Sequence, residues 1–306
     1  MPEGYTHIRT ACRAARLAKI EPTHPQAFAG GANGPDILFC YRVWRRAKKR
    51  GENLPEIGHR LHNENTGVFL QTLIEQALEP WQRSYVLGYL THYAADCVIH
   101  PYVEMLTQPG QLYAKKGGHG YFEIALDSYL HEQDTGNAAI PLEDSTPLLG
   151  GVELAGAGAL LQKGIESALG ITMSRQALAD TFAHTRRMRG MFISRFKIKY
   201  ALFWLAEPLF GGRGFITGHV SPAHLKGTGK DKEKLPDVWK HPKIGEEQHE
   251  SLEELLERAE RTGAAYMMAA QGYWDGRLTL DRAMELIGSN SYLWGVPDEK
   301  SMGKFC

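Results

Sequence analysis

A chain of 306 residues with 35 basic and 35 acidic side chains has no formal net charge, so bulk electrostatic attraction does not make it a nucleic-acid binder. The length allows a large core in one or two domains. Four cysteines, Cys12, Cys40, Cys97 and Cys306, are scattered without a CxxC pair, which argues against a disulfide framework or a thiolate-held structural zinc. Cys97, beside Asp96, is expected in the core rather than next to a ligand.

The periodicity is helical nearly throughout. Residues His7–Ile20 carry apolar positions at helical spacing and stop before Pro22. The segment PDILFCYRVWRR starts with Pro35 where a first helical turn accepts proline, and Asp36 lies in that turn. Ile57–Leu78 reads as one long amphipathic helix with His62 near its start, and Pro80 separates it from a helix over Trp81–Leu106. A short helix follows over Tyr121–His131, closed by DTGN. Ile140–Gly170 reads as a loop and then a helix, and Ser174–Leu209 as mostly helical. Residues 211–243, punctuated by Gly and Pro, form an irregular excursion. A long helix over Glu246–Trp274 and a short one from Leu280 to Leu286 close the chain. No strand-period alternation persists and no internal repeat appears. The expectation is an all-α fold, residues 1–306 forming a single domain. No apolar run reaches the ~18 residues needed to cross a bilayer. The first twenty residues lack the apolar core, about 7–15 residues long, of a signal peptide. A cytoplasmic protein is expected, with export by an unconventional route left open.

His92, Asp96 and His100 in GYLTHYAADCVIHPY recur every four residues. On a helix they line one face, each roughly 6 Å from the next along the axis. His92 and His100 are then roughly 12 Å apart along it, too far to share one ion. Asp96 lies between them with two oxygens to offer, so the spacing suggests a multinuclear metal site. A second pair, His119 and Glu123, follows at the same spacing after a short glycine-rich connection. The ordinary reading is a set of solvated helix-face pairs worth tenths of a kcal/mol. Against it stand the apolar neighbours Leu90, Tyr93, Ala94, Val98 and Ile99, because buried carboxylates and imidazoles need partners and a metal serves several at once. Without thiolates, histidine nitrogen and carboxylate oxygen suit Zn²⁺, although Mn²⁺ and Fe²⁺ accept similar ligands. Seven of the thirteen histidines fall within the first 119 residues. His184, His219, His224 and His241 lack such spacing and are expected on the surface or in loops.

The motifs GYTH, GPDILFCY, GHRLHNENTGVFL, HYAADCVIHPY and HGYFEIALDSYL, in that order, resemble the bacterial zinc-dependent phospholipase C family. That family shares an all-α fold with single-strand-specific zinc nucleases and holds two or three zinc ions in a cleft between helices. DVWKHP and SLEELLERAERTGAAYM extend the resemblance to about residue 270. It implies that Asp36, His62, His92 and Asp96 surround one ion, and that His100, His119 and Glu123 surround a second. His7 and the other oxygen of Asp96 serve a third, which makes Asp96 a bridge. Asp36 matches the carboxylate that orients or deprotonates the attacking water. His59, three residues before His62, remains a competing ligand. Asp127 is either a carboxylate that fixes a ligating imidazole or a plain helix-face residue. Glu64 is expected in solvent, and His24 and His131 without a role. Family enzymes complete the third site with a mature N-terminal tryptophan, whereas this chain begins MPEGYTH. Pro2, once Met1 is lost, offers a secondary amine in that place, and a site of two ions is an equal expectation.

Zinc ions about 3.5–4 Å apart suit phosphodiester hydrolysis. The resemblance therefore implies a hydrolase with phospholipid as the leading substrate and transient contact with a membrane surface. A single-strand nuclease is the rival, which needs aromatic platforms for its bases. A catalytically idle zinc protein that binds lipid or protein is another. The basic run Trp44–Arg50 is either an attractor of anionic head groups or a solvated surface. MFISRFKIKYALFWLAEPLF is either a membrane-interface segment or, as its composition favours, a buried core helix.

Overall fold

Residues 4–298, apart from 195–196, 210–211 and 215, are described by a computed structural model. The centre of the fold is helix α5 (Pro80–Thr107), and it is buried on nearly every side. A helix apolar all round has no surface to give to solvent and becomes the axis around which others pack. It starts where Pro80 takes the first-turn position and the Gln82 side chain accepts the backbone N–H groups of Leu78 and Glu79, both at 2.8 Å.

Three helices wrap this axis. α1 (Gly4–Ala18) and α11 (Leu252–Trp274) pack on each other and on α5, and α2 (Pro25–Gly31) crosses it. The α2 crossing is close because a Cβ on Gly88 would stand 2.0 Å from the Phe28 carbonyl oxygen, and one on Gly31 only 1.9 Å from that of Tyr85. α11 is opened by a capping box in which Ser251 Oγ accepts from Glu254 N at 3.3 Å and Ser251 N donates to Glu254 Oε2 at 2.8 Å. α3 (Leu54–Leu61), α4 (Thr66–Gln76), α8 (Gly151–Leu169), α9 (Arg175–Phe192) and α12 (Leu280–Ile287) complete one side. α6 (Gly118–Thr135) packs on α1 and α5, with the single turn α7 (Leu142–Ser145) after it.

Two apolar clusters meet along α5. One takes its residues up to Ala94, together with α1, α2, α4, α8 and α11. The other takes Ala95 onward, together with α6, Trp239 and the start of α11. Asp96 stands at this junction, so the polar face of the axis lies where one core gives way to the other.

The all-α expectation agrees with this architecture, and four boundaries differ from it. The segment over Ile57–Leu78 is two helices, because Asn65 adopts a left-handed conformation (φ 51°) and His62 ends the first helix instead of lying inside a longer one. PDILFCY forms a tight 3₁₀ turn over Gly34–Cys40. Residues 247–248 pair with Trp239–Lys240 in a two-stranded antiparallel ribbon (β1, Trp239–Lys240; β2, Glu247–Gln248), which delays the start of α11 to Leu252. The stretch from Ser174 to Leu209 holds two helices, α9 ending at Phe192 and α10 running over Ile198–Ala206. No side chain of α10 is buried, so the core assignment that its composition favoured is wrong. Among the described residues no helix is long and apolar enough to cross a membrane.

Candidate metal centre

Four elements converge on the polar face of α5. α5 itself carries His92, Asp96 and His100 at four-residue steps, and the four other elements bring in the rest. The 3₁₀ turn over Gly34–Cys40 presents Asp36, the end of α3 presents His62, and the first turns of α1 and α6 present His7 and His119 with Glu123. Every one of these eight side chains is linked to the next by a contact of 3.9 Å or less.

The two oxygens of Asp96 face different imidazoles. Oδ2 lies 3.0 Å from His92 Nε2 and 3.7 Å from His62 Nε2, whereas Oδ1 lies 3.4 Å from His7 Nε2 and 3.5 Å from His100 Nε2. Asp36 completes the first side, with Oδ1 3.1 Å from His62 Nε2 and Oδ2 3.9 Å from His92 Nε2. Beyond His100, Glu123 Oε1 lies 3.6 Å from His100 Nε2 and 2.7 Å from His119 Nε2. Ligand atoms of His7, Asp36, His92 and Asp96 fall within 4.8 Å of one another, as do those of His100, His119 and Glu123. His7 thus stands inside the group that the resemblance built with His62, and His62 stands beside it, in contact with both carboxylates.

The distal ring atoms show how the imidazoles are held. His62 Nδ1 is 2.6 Å from the Gly58 carbonyl oxygen and His92 Nδ1 is 3.1 Å from that of Ala32. A carbonyl only accepts, so each Nδ1 carries the proton and each Nε2 in the neutral ring turns its lone pair to the carboxylates. His92 Nε2 and Asp96 Oδ2 are buried and make no hydrogen bond, and His7 Nδ1 and His100 Nδ1 are buried without one either. Buried polar atoms in that condition are costly unless something else pairs with them. A divalent cation among imidazole nitrogens and carboxylate oxygens removes that cost, and this donor set fits zinc.

The electrostatics point the same way. Burial pushes the Asp36 carboxyl up, and the His92 and His62 rings more than offset it, leaving it below its ordinary value. Asp96 is held far below by His100, His92 and His7 in spite of its burial. His7, buried and next to His92 (ring centroids 4.1 Å apart), is pushed down to about 4. His119 is opposed by burial yet raised to about 10 by Glu123 and Glu104. The carboxylates are ionised and draw protons onto the rings beside them, so a cation bound here would take the place of those protons.

Several supporting residues escape a reading of spacing alone. Glu104 Oε1 lies 3.1 Å from His119 Nδ1, where a carboxylate orients a ligating imidazole. It continues the four-residue series of His92, Asp96 and His100 by one step, which is the signal that marks it. Tyr292 donates its backbone N–H to the His62 carbonyl at 2.8 Å and lays its ring 5.1 Å from the imidazole. Buried Arg189 donates to Asn33 Oδ1 at 2.6 Å and to the Ser145 carbonyl, steadying the turn that carries Asp36. Neither has a sequence signal. Gly34 (φ 53°) is needed because a Cβ there would stand 2.2 Å from the His92 ring.

Asp127 touches no imidazole. It accepts from Tyr5 N at 3.0 Å, Thr6 N at 2.7 Å and Thr6 Oγ1 at 2.6 Å, and so anchors the first turn of α1, next to His7. Burial pushes its carboxyl up to about 6 against those bonds. His59 is exposed beside Phe39 and faces the mouth of the cleft, while His62 reaches Asp36. Glu64 pairs with Arg60 at 3.0 Å. His24 is half-buried at a turn, bonded with Thr23, and buried His131 contacts the Asn137 carbonyl. Cys97 packs on the main core. His224 is exposed beside Asp231 and His184 packs between Tyr41 and Trp44. His241 is buried, not on the surface, with Nε2 3.0 Å from the Trp294 carbonyl, and His219 is half-buried over Gly120. The tail of the N-terminus, with Pro2, lies outside the described residues.

The cluster opens into a cleft of about 520 Å³, walled by Phe39, Pro55, Asn63 and Leu293 and floored by Asp36, His62, His100 and Glu123. The exposed basic run at 44–50 is not part of this lining.

An all-α frame that gathers five histidines and two further carboxylates about Asp96 beside an open cleft defines a helical protein with two groups of side chains able to hold metal. Residues 6–150, which contain every one of the eight side chains, match the family model described as zinc dependent phospholipase C. No curated protein matches the chain, and no solved structure does.

Proposed function

We propose that the chain is a zinc-dependent phosphodiester hydrolase that acts on phospholipid head groups, with residues 1–306 as one catalytic domain. The observation that carries this reading is Asp96, whose two oxygens address two separate sets of imidazoles at the floor of an open cleft. Asp36, His62, His92 and Asp96 would hold one zinc ion, and His100, His119 and Glu123 a second. His7 with Asp96 Oδ1 would serve a third. Bound zinc supplies Lewis acidity to phosphoryl oxygens and acidifies a water.

The chain's own residues then do the remaining work. Asp36, kept ionised by His92 and His62, lies at the cleft wall and accepts a proton from the attacking water while orienting it. Glu104 holds His119, and the Ala32 and Gly58 carbonyls hold His92 and His62, so none of these rings must reorganise during turnover. Phe39, Pro55 and Leu293 give the glycerol side of a lipid an apolar wall. Phe39 is the one phenyl ring of that lining among the described residues, whereas successive nucleotide bases need stacking platforms.

The test is incubation of the zinc-loaded protein with phosphatidylcholine and, separately, with single-stranded DNA. Release of phosphocholine and diacylglycerol is expected. Cleavage of the nucleic acid alone would sink the lipase reading, and zinc content with lipid binding but no turnover would leave a catalytically idle protein.

A further inference from the structure

After α9 the fold leaves a row of large apolar side chains uncovered. Ile198, Leu202, Leu205 and Leu209 are 65%, 61%, 67% and 82% exposed, and their spacing places them along one face of α10 and the turn that continues it. Soluble surfaces scatter single leucines, but a row of four on one helix marks a contact face. α10 is held to the body through Phe203, whose ring lies 5.7 Å from that of Phe192, and through the turn over Glu207–Leu209.

What surrounds this row identifies its occupant. Between residues 190 and 230 the chain has six Lys and Arg residues and one acid, Glu207. That acid is buried, its carboxylate accepting from the backbone N–H groups of Gly214 and Ile216 at 3.1 and 2.6 Å and from the Thr217 hydroxyl. It therefore shows no negative charge to a partner. Lys197 and Lys199 are exposed at the start of the helix. On its other flank a pocket of about 340 Å³ is walled by Tyr200, Trp204, Arg213, Lys115, Lys116 and Lys226. Arg213 lies over the Trp204 ring at 3.5 Å. A row of aliphatic side chains bordered by Trp, Tyr and cations matches the layering of a membrane interface, apolar below and anionic above. A protein partner would more often meet such a row with mixed charge around it.

We propose that α10 docks this protein on an anionic lipid surface, with Ile198, Leu202, Leu205 and Leu209 entering the acyl boundary and the flanking lysines and Arg213 meeting lipid phosphates. The pocket is also lined by Gly117 and Gly118, and the next residue, His119, faces the metal cleft. The purpose of this surface rests on the phospholipase reading, but the binding itself does not.

The test is co-sedimentation of the full-length chain with phosphatidylglycerol–phosphatidylcholine vesicles and with phosphatidylcholine vesicles, in an Asp36→Asn background that prevents turnover. Stronger binding to the anionic vesicles, weakened by salt, is expected. Replacing Leu202→Asp and Leu205→Asp together should weaken binding at least about ten-fold. Lys197→Glu with Lys199→Glu should remove most of the anionic preference. Both double variants, with Asp36 intact, should hydrolyse the soluble substrate bis(p-nitrophenyl) phosphate at the unaltered rate. Vesicle binding that is absent, or equal in the leucine double variant, overturns the proposal. So does a leucine variant that only turns a dimer into a monomer without changing vesicle binding. If the soluble diester is not hydrolysed by any form, the phospholipase reading fails while the docking result stands.

Discussion

Asp96 and Asp36 sit in the same cluster and are expected to fail differently when changed. Asp96→Asn keeps the side chain's shape but removes the charge that two sets of imidazoles share. Zinc content should drop by at least one ion per chain together with activity, as elemental analysis would show, and an unchanged content would falsify the bridging role. Asp36→Asn should cost about 10²–10⁴-fold in phosphodiester turnover, with little loss of thermal stability, because the base matters to the reaction more than to the packing. Glu104→Gln leaves His119 with a neutral partner on Nδ1. Zinc affinity should weaken by about 10–100-fold in a competition titration with a chromophoric chelator. Glu104 was open to discovery in the sequence, since it continues a series of four-residue steps, but nothing in a spacing distinguishes the last member from a solvated glutamate. Only the position of His119, on another helix, gives it a role.

Helices supply the site by their ends as much as by their faces. His7, Asp36 and His62 all lie in the first or last turn of an element or in a 3₁₀ turn, where the chain direction changes and periodicity says little. That is why the α5 triplet and the α6 pair were legible from spacing, whereas His62 was placed inside a helix that in fact ends there. Asn65 in a left-handed conformation breaks that helix, and an amphipathic pattern running through the break conceals it. α10 carries the opposite error. Its composition matches a core helix, and burial is decided by what packs on it, which no window of sequence contains. The loop that follows α10 is tied by Glu207. Burial pushes this carboxyl up, but bonds from Thr217, Gly214 and Ile216 more than offset that and hold it below its ordinary value of 4.5. A carboxylate depressed in the folded state adds stability that is complete above its unfolded value and lost as pH falls through the folded one. The loop over 212–219 should therefore loosen below about pH 4.5, read as faster amide hydrogen exchange, and Glu207→Gln should flatten that pH dependence.

For the molecule as a whole, the cluster places acids and imidazoles in the interior where two apolar cores meet, and a bound metal would offset their burial. Stripping zinc with a chelator should lower the melting temperature by roughly 5–10 °C, reversed by added zinc. A protein whose melting point ignores chelation would have to satisfy the buried atoms of His7, His92, Asp96 and His100 in another way. The part of the chain beyond residue 150 still serves the site, as Tyr292 against His62 and Leu293 in the cleft wall show.

The helical class and the two groups of side chains able to hold metal were legible in the linear order, because a helix converts a four-residue repeat into a face and because metal chemistry restricts which side chains can meet on it. Three things needed the folded chain. It decided that Asp96 turns each oxygen to a different pair of rings, which depends on α1 and the end of α3 arriving at α5 from distant parts of the sequence. It assigned the orienting roles of Glu104, Tyr292 and Arg189, which exist only through neighbours in space. It turned an apolar, aromatic segment outward, since exposure is a property of the surrounding packing and not of the side chains themselves.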